Sequence, residues 1–335
     1  MSDVFFYSDG TRYRFNVDSA DFDNNMSASW KSYAATQYAN LVSAFNASNR
    51  AIPFFISTDQ HGGNKNNADG NRWLAGNDSE IGFVRNFNLG DLGDKYSKST
   101  FDGWYERTYN IPYYFSLPGN HDYNKNGTTY ADYNVMNRDF CADGDKRIID
   151  QKGFFSLYDW KRNVKYLAIQ PYTIDTTKTA GWRLELGTKQ VNWLISELEA
   201  KDSMDIIVIS HMPTNGTYTN LSGESVSHND FSADFRTILE AYRAKGSGTF
   251  TDELNVSHSY DFSDTNGNLL CTLHGHTHSE EVMTKNTLVS FCADYYAGSY
   301  ACTFGLIDRD NNVLKTWRFD NNQAFSERQF SLGLS

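Results

Sequence analysis

The sequence predicts an α/β fold: a largely parallel, buried sheet with a second sheet beside it. Three observations carry this reading. Short apolar runs recur along the chain, each bounded by polar residues or glycine. Segments with helical spacing lie between several of these runs, an alternation that makes parallel sheets covered by helices. Hairpin-like segments are interleaved with those units and require strands of a second sheet.

Taken in order, Val4 to Val17 alternates around Asp9-Gly10, which reads as a β-hairpin. From Ser27 to Ser48, Trp30, Tyr33, Tyr38, Leu41, Val42 and Phe45 recur at helical spacing and predict an amphipathic helix. The apolar runs are Ile52–Ser57, Phe83–Leu89, Tyr113–Leu117, Ile206–Ser210 and Leu269–Leu273, and each reads as a buried strand. Ser99–Tyr109 and Thr188–Lys201 read as helices, the second with Val191, Leu194, Ile195 and Leu198 on one face. Phe154–Trp160 with Lys165–Ile169 reads as hairpin-like, as do Leu288–Cys292, Thr303–Asp308 and Val313–Phe319. Asp310-Asn311-Asn312 supplies good turn chemistry between the last two. Asp122–Gln151 and Met212–Asn268 read as polar, loop-rich inserts. The expected organisation is a hairpin-like extension over residues 1–25, one domain over 26–320 carrying the inserts 122–151 and 212–268, and a tail over 321–335.

A chain of 335 residues fits one or two domains, and one near this size buries about 75 % of its unfolded surface without staples. Aromatic residues make up 15 %, with 21 Tyr, 23 Phe and 7 Trp, which is too many for a disordered chain. No stretch approaches the ~18 consecutive apolar residues of a membrane helix. The start, MSDVFFYSDGTRYRF, lacks a basic segment followed by an apolar one, so a cytoplasmic protein without membrane contact is expected. Lys+Arg 30 against Asp+Glu 41 gives a net charge of -11. A field of that sign argues against non-specific binding to nucleic acid or anionic membranes, while leaving room for a locally positive pocket. Cys141, Cys271, Cys292 and Cys302 are scattered without a CxxC, and three lie in apolar runs, as buried reduced thiols do.

Polar clusters stand at the C-terminal ends of the five runs. They are Asp59-Gln60-His61, Gly90-Asp91-Leu92-Gly93-Asp94, Gly119-Asn120-His121-Asp122, Ser210-His211 and Gly275-His276-Thr277-His278. Ligands collect at the carboxyl edge of a parallel sheet, so clusters distant in sequence converge in space. Singly, each has an ordinary reading: Asp91 as a turn or cap residue, Asn120 as a left-handed turn residue, His211 as a strand-end histidine. Their joint occurrence, in order and each after a strand-like run, points to a functional site.

The ordered set D-x-H, G-D-x-x-D, G-N-H-D, H and G-H-x-H resembles the calcineurin-like metallophosphoesterase family, from the first helix to the last hairpin. Gln190-Val191-Asn192-Trp193-Leu194, ahead of the His211 run, is also similar to a helix of that family. The resemblance implies a four-layer double β-sandwich flanked by helices, with a two-metal site at the sheet edge. It implies that Asp59, His61 and His278 hold one divalent cation, that Asn120, His211 and His276 hold a second, and that Asp91 bridges both. A bridge needs two oxygens facing cations about 3.5–4 Å apart, which a carboxylate supplies and an amide does not. Alternation of ligand and non-ligand in D-x-H and H-x-H lets extended backbone aim two side chains at one centre. Nitrogen and oxygen donors without thiolate suit Mn, Fe, Zn, Ni or Co.

The implied activity is hydrolysis of phosphate mono- or diesters, diesters favoured, by a hydroxide held between the metals. Two divalent cations outweigh Asp59, Asp91 and that hydroxide, so the site stays positive in an acidic protein. The resemblance assigns His121 to the leaving oxygen or the phosphoryl charge, with Asp94 or Asp122 orienting its ring and Asp94 favoured. Lys95 departs from the family's protein phosphatases, which have Arg there, and it cannot grip phosphate with a bidentate fork. His274 is expected to be packed behind the site, and His228 and His258 to be surface residues of the long insert. Tyr123, Tyr130 and Tyr133 are expected to pack at the surface. The expected partner is a phosphate-ester substrate; a nuclease is disfavoured by the acidic balance and the lack of a basic stripe. The rival reading is a virion or cell-surface component that uses the scaffold for binding, or for cleaving phosphate-containing wall polymers.

Overall fold

The computed structural model describes residues 4–6, 12–14, 26–61, 69–82, 84–93, 114–122, 154–170, 172–174, 182–184 and 186–334. The first half of the chain contributes β1 (Val4–Phe6), β2 (Arg12–Arg14), α1 (Ala28–Asn46), β3 (Ala51–Ser57), α2 (Asp69–Asn77), β4 (Arg85–Asn88) and β5 (Tyr114–Ser116). There follow β6 (Phe155–Asp159), β7 (Val164–Ile169), β8 (Tyr172–Ile174), β9 (Trp182–Leu184), α3 (Gly187–Glu199) and β10 (Asp205–Ser210). Next come β11 (Gly216–Asn220), β12 (Ser225–His228), α4 (Arg236–Arg243), β13 (Ser247–Thr251), β14 (Ser257–Asp261) and β15 (Leu269–His274). The chain ends with β16 (Glu281–Lys285), β17 (Leu288–Cys292), α5 (Tyr296–Ser299), β18 (Cys302–Asp308), β19 (Val313–Phe319) and β20 (Arg328–Ser331).

Two mixed sheets dominate. One has the order β20-β19-β18-β3-β4-β5, and the other β12-β11-β16-β17-β15-β10-β7-β6. β3, β4 and β5 run parallel in the first; β7, β10, β15 and β17 run parallel in the second. Successive residues of a strand face opposite sides. In β3, Ile52, Phe54 and Ile56 enter the core between the sheets, while Ala51 and Phe55 face outward. In β10, Ile207 and Ile209 point inward, while Ile206 and Val208 point outward. Both faces are buried, which is why these strands read as unbroken apolar runs.

The outer faces are closed by helices. Ser27 caps α1 by accepting the Trp30 N–H at 3.2 Å. That helix lays Trp30, Ala34, Tyr38 and Leu41 on Phe55, Phe304 and Phe319. Each such fully buried large side chain stabilises the fold by about 1.5–3 kcal/mol. On the other side α3 places Val191, Leu194, Ile195 and Leu198, and α4 places Ile238, Leu239 and Tyr242, over Ile206 and Val208. Helices, sheet, sheet, helices: this is the four-layer double sandwich.

The structure adds to the sequence reading in several places. α2 and β20 carry no strong periodic signal and form nonetheless. The Met212–Asn268 insert is not loop-rich. It holds the β11–β12 hairpin, which extends the larger sheet, as well as α4 and the β13–β14 hairpin. Its short strands are Ser- and Thr-rich and mostly exposed, so no apolar run announces them. Cys271, Cys292 and Cys302 are buried free thiols. Ser99–Tyr109, residues 123–151, Cys141, Asp94, Lys95, Tyr123, Tyr130 and Tyr133 lie outside the described residues. Among the described residues, no helix is long and apolar enough to cross a membrane.

Candidate metal centre

The parallel strands of both sheets open their carboxyl ends at one edge. Backbone hydrogen bonds stitch the loops there into a single rim. Asp59 N–H donates to Gly90 O at 2.9 Å, His61 N–H to Asp91 O at 3.0 Å, and Gly275 N–H to His211 O at 2.9 Å. Glycine permits this closeness at two positions. A Cβ on Gly119 would lie 2.1 Å from Asp91 Oδ1, and one on Gly275 would lie 2.1 Å from Thr58 Oγ1.

The rim gathers the expected side chains into two clusters that share one carboxylate. Asp59, His61, Asp91 and His278 present ligand atoms within 4.8 Å of one another, as do Asp91, His211 and His276. In the first, His61 Nε2 lies 2.9 Å from His278 Nε2 and 3.6 Å from Asp91 Oδ2, and His278 Nε2 lies 3.3 Å from Asp59 Oδ1. In the second, Asn120 Oδ1 lies 2.9 Å from His276 Nδ1 and 3.1 Å from His211 Nε2, which is 3.4 Å from Asp91 Oδ2. His211 Nδ1 donates to Leu89 O at 2.6 Å, so Nε2 is the atom turned toward Asp91 and Asn120.

Three features of this arrangement fit divalent cations. Asp59 Oδ1 and Asp91 Oδ2 are buried and accept no hydrogen bond of good geometry, which leaves each about 1–3 kcal/mol short unless a cation takes it. The donors are imidazole, carboxylate and amide oxygen, a set suited to transition metals. Asp59, His61, Asp91, His276 and His278 all adopt left-handed backbone, with φ of 54°, 44°, 54°, 71° and 54°. Non-glycine residues reach that region at a cost, and such strain collects at functional sites.

The electrostatics follow from burial and from Asp91. Burial alone would lower the His211 imidazole, but the Asp91 carboxylate outweighs it and raises the group to about 9. Burial likewise opposes ionisation of Asp91, yet His211 and His121 hold its carboxyl well below the usual range. His276 is pushed down to about 4, first by burial and then by His211, so it keeps a free lone pair at neutral pH. Burial also lowers His61, whereas pairing with Asp59 raises His278.

His121 lies beside the clusters rather than within them. Its Nε2 is 4.0 Å from Asp91 Oδ2, and its ring meets His61 edge-on at 4.5 Å. His121 Nδ1 is buried and has no hydrogen-bond partner among the described residues. The Asp122 carboxylate does not orient this ring. It accepts the Gly119 N–H at 2.8 Å and the Gly93 N–H at 3.2 Å, tying two ligand loops together. The side chain folds back on its own turn, where burial and then Asp91 push its carboxyl up to about 8. His274 is packed beneath the site, between Ser210 Oγ at 3.0 Å and Thr272 Oγ1 at 2.7 Å. His258 is not a surface residue; it is buried between Asp252 at 2.9 Å and Asn192 at 2.8 Å. His228 pairs with Glu281 at 2.8 Å. One residue at the site escaped the sequence reading: Tyr295, whose ring stacks on His278 at 4.4 Å.

A double sandwich with clustered nitrogen and oxygen donors at its strand ends defines a phosphoesterase scaffold. The family model described as calcineurin-like phosphoesterase matches residues 52–280, and the chain belongs to that family. No curated protein sequence matches it. Among solved structures it is similar to the GAP50 anchor in the inner membrane complex of Plasmodium, at 14 % identity and a TM-score of 0.46, covering 86 % of this chain and 90 % of that one. It is similar to a putative 5'-nucleotidase from Staphylococcus aureus, at 13 % identity and a TM-score of 0.43, covering 84 % and 54 %. It is also similar to an archaeal phosphodiesterase, at 12 % identity and a TM-score of 0.34, covering 80 % and 100 %.

Proposed function

We propose that the protein is a two-cation phosphoester hydrolase that acts on diesters in preference to monoesters. The observation that carries this reading is the Asp91 carboxylate, common to both donor clusters. Asp59, His61, His278 and Asp91 would hold one divalent cation; Asn120, His211, His276 and Asp91 would hold the other. Bound there, such cations supply Lewis-acid charge to a phosphoryl oxygen and lower the pKa of a water to the neutral range.

The chain's own groups do the rest. His121, with a side chain 24 % exposed beside the clusters, can hand a proton to the leaving oxygen. Asp122 keeps the Gly93 and Gly119 loops in register, and with them Asp91 and Asn120. Lys95, where the family's protein phosphatases have Arg, offers phosphate a point charge instead of a bidentate fork, which counts against a phosphoprotein substrate. The net charge of -11 supports a small substrate rather than a nucleic acid.

The test compares bis-p-nitrophenyl phosphate with p-nitrophenyl phosphate across Mn, Ni, Co and Zn, alongside Asp91→Ala. Turnover should require an added metal, favour the diester and vanish in Asp91→Ala. Normal hydrolysis by that variant would overturn the proposal, and preference for the monoester would overturn its diester half.

A further inference from the structure

Metal-binding imidazoles are normally held in place by a hydrogen bond from their second ring nitrogen. His211 follows that rule through Leu89 O. His278 does not follow it. Its side chain is 44 % exposed, whereas those of His61 and His211 are 8 % and 0 % exposed, and no hydrogen bond among the described residues reaches its Nδ1. What it has instead is an aromatic ring.

β17 runs parallel to β15, so the turn after Cys292 opens on the same edge as His276 and His278. That turn is fastened to both halves of the site. Ala293 N–H donates to His274 O at 2.8 Å, and Tyr296 N–H donates to Thr58 O at 3.1 Å, one residue before Asp59. Asp294 sits between them. It accepts the Tyr295 N–H at 2.6 Å and pairs with Arg318 of β19 at 2.5 Å. Ser299 Oγ closes the turn by donating to Tyr295 O at 2.6 Å.

Held this way, the Tyr295 ring stacks on His278 with centroids 4.4 Å apart and planes inclined by 21°, and leans on His61 at 5.6 Å. The Gly298 side of the ring is closed. A Cβ on Gly298 would lie 2.3 Å from Tyr295 Cε1 and 2.9 Å from Cδ1. The ring is therefore wedged between backbone and imidazole, a place for bracing a ligand rather than for receiving a substrate.

We infer that Tyr295 is a positioning residue: its ring fixes the orientation of His278, and with it that of His61, so that both Nε2 atoms stay aimed at one cation. The inference rests on the two-cation reading above and adds a residue outside the matched segment 52–280.

The full chain, stripped with a chelator, is titrated with Mn²⁺ alone while free ion is counted by electron paramagnetic resonance. Tyr295→Ala should weaken one of two bound equivalents by about 10–100-fold, while Tyr295→Phe, which keeps the stack, should stay within about twofold of wild type. Gly298→Ala leaves the ring present but displaces it, and should weaken the same equivalent. Wild-type protein that binds no Mn²⁺ overturns the two-cation reading and this inference with it. Wild-type protein that binds two ions, with Tyr295→Ala binding them equally tightly, overturns the Tyr295 assignment alone. A loss in Tyr295→Phe as large as in Tyr295→Ala overturns it too, because the stack would then not be what matters.

Discussion

Gly119→Ala tests whether the loops that follow β4 and β5 must meet as closely as they do. The added Cβ would lie 2.1 Å from Asp91 Oδ1 and 2.4 Å from Asp91 N, where ordinary contact begins at 3.4 Å. The shortfall of about 1 Å against a backbone nitrogen cannot be relieved by a side-chain rotation. Asp91 is itself in left-handed backbone, and its Oδ1 accepts the His121 N–H at 2.8 Å, so the Gly90–Asp91 and Gly119–His121 loops must separate together. Overpacking of this kind costs about 1–3 kcal/mol of stability. In a domain of this size that lowers the melting temperature by roughly 2–10 °C. Function should suffer more. Misplacement of reacting groups by about 1 Å costs ~10²-fold in rate, so kcat/KM on bis-p-nitrophenyl phosphate should fall by about that factor. Gly246→Ala is the control, because its Cβ would meet only Ala241 O at an ordinary 3.6 Å. A Gly119→Ala protein that binds Mn²⁺ and turns over like wild type would refute the claim that this contact sets the site.

His121→Asn should keep both ions and lose ~10²–10⁴-fold in kcat, as expected of a general acid; loss of an ion in the same titration would make the residue structural instead. Asp159 joins Arg85 at 3.0 Å and Arg162 at 2.9 Å far from the site. Burial there opposes ionisation, but the two guanidinium groups outweigh it and hold its carboxyl below the usual value. A lowered folded value means the stabilisation is present above the unfolded pKa near 3.9 and is lost as pH falls through the folded one. Asp159→Asn should therefore cost about 3 kcal/mol in urea melts at pH 7, shrinking as pH falls through the lowered folded value; a cost that does not depend on pH would count against the pairing. Removing metal with a chelator should leave far-ultraviolet circular dichroism and a cooperative melt intact, because the rim is joined by backbone hydrogen bonds such as Asp59 to Gly90 and Gly275 to His211. Unfolding on chelation would show that the ions build the rim rather than occupy it.

What could be read from sequence was whatever the physics writes locally. β3 and β10 announce themselves because strands buried on both faces are apolar without interruption. The clustered donors are legible because each group follows such a run. α2 is silent for the opposite reason. Its sequence DGNRWLAGN holds poor helix formers, and it exists because Trp73 and Leu74 find a buried place against Trp30, edge-on at 5.9 Å. β20 alternates partly buried with exposed residues at a sheet edge and borrows its regularity from β19. His258 looked like a surface residue because neither Asp252 nor Asn192 is recognisable as its partner until α3 and β14 are brought together. Tyr295 could have been found by extending one rule: β17 is a further parallel strand, and the residues beyond its carboxyl end belong to the same edge.

The centre also shows why its residues tolerate unfavourable backbone. Five of the candidate donor positions stand at φ between 44° and 71°, each a conformation costing of order 1–3 kcal/mol for a residue with a side chain. Four of them, Asp59, His61, Asp91 and His276, are tied across the rim by their own peptide groups. His61 N–H is held by Asp91 O, His276 N–H by Asp59 Oδ2 at 2.8 Å, and His121 N–H by Asp91 Oδ1. Each bond joins one ligand loop to another, so relaxing any single turn would break a contact made by a different ligand. Asp59 and Asp91 thus do two jobs with two oxygens: one oxygen of each accepts a backbone N–H and locks the rim, while the other stays buried without a donor and faces the imidazoles. A carboxylate is the smallest side chain able to divide its labour this way, and an asparagine at either position would lose one half of it.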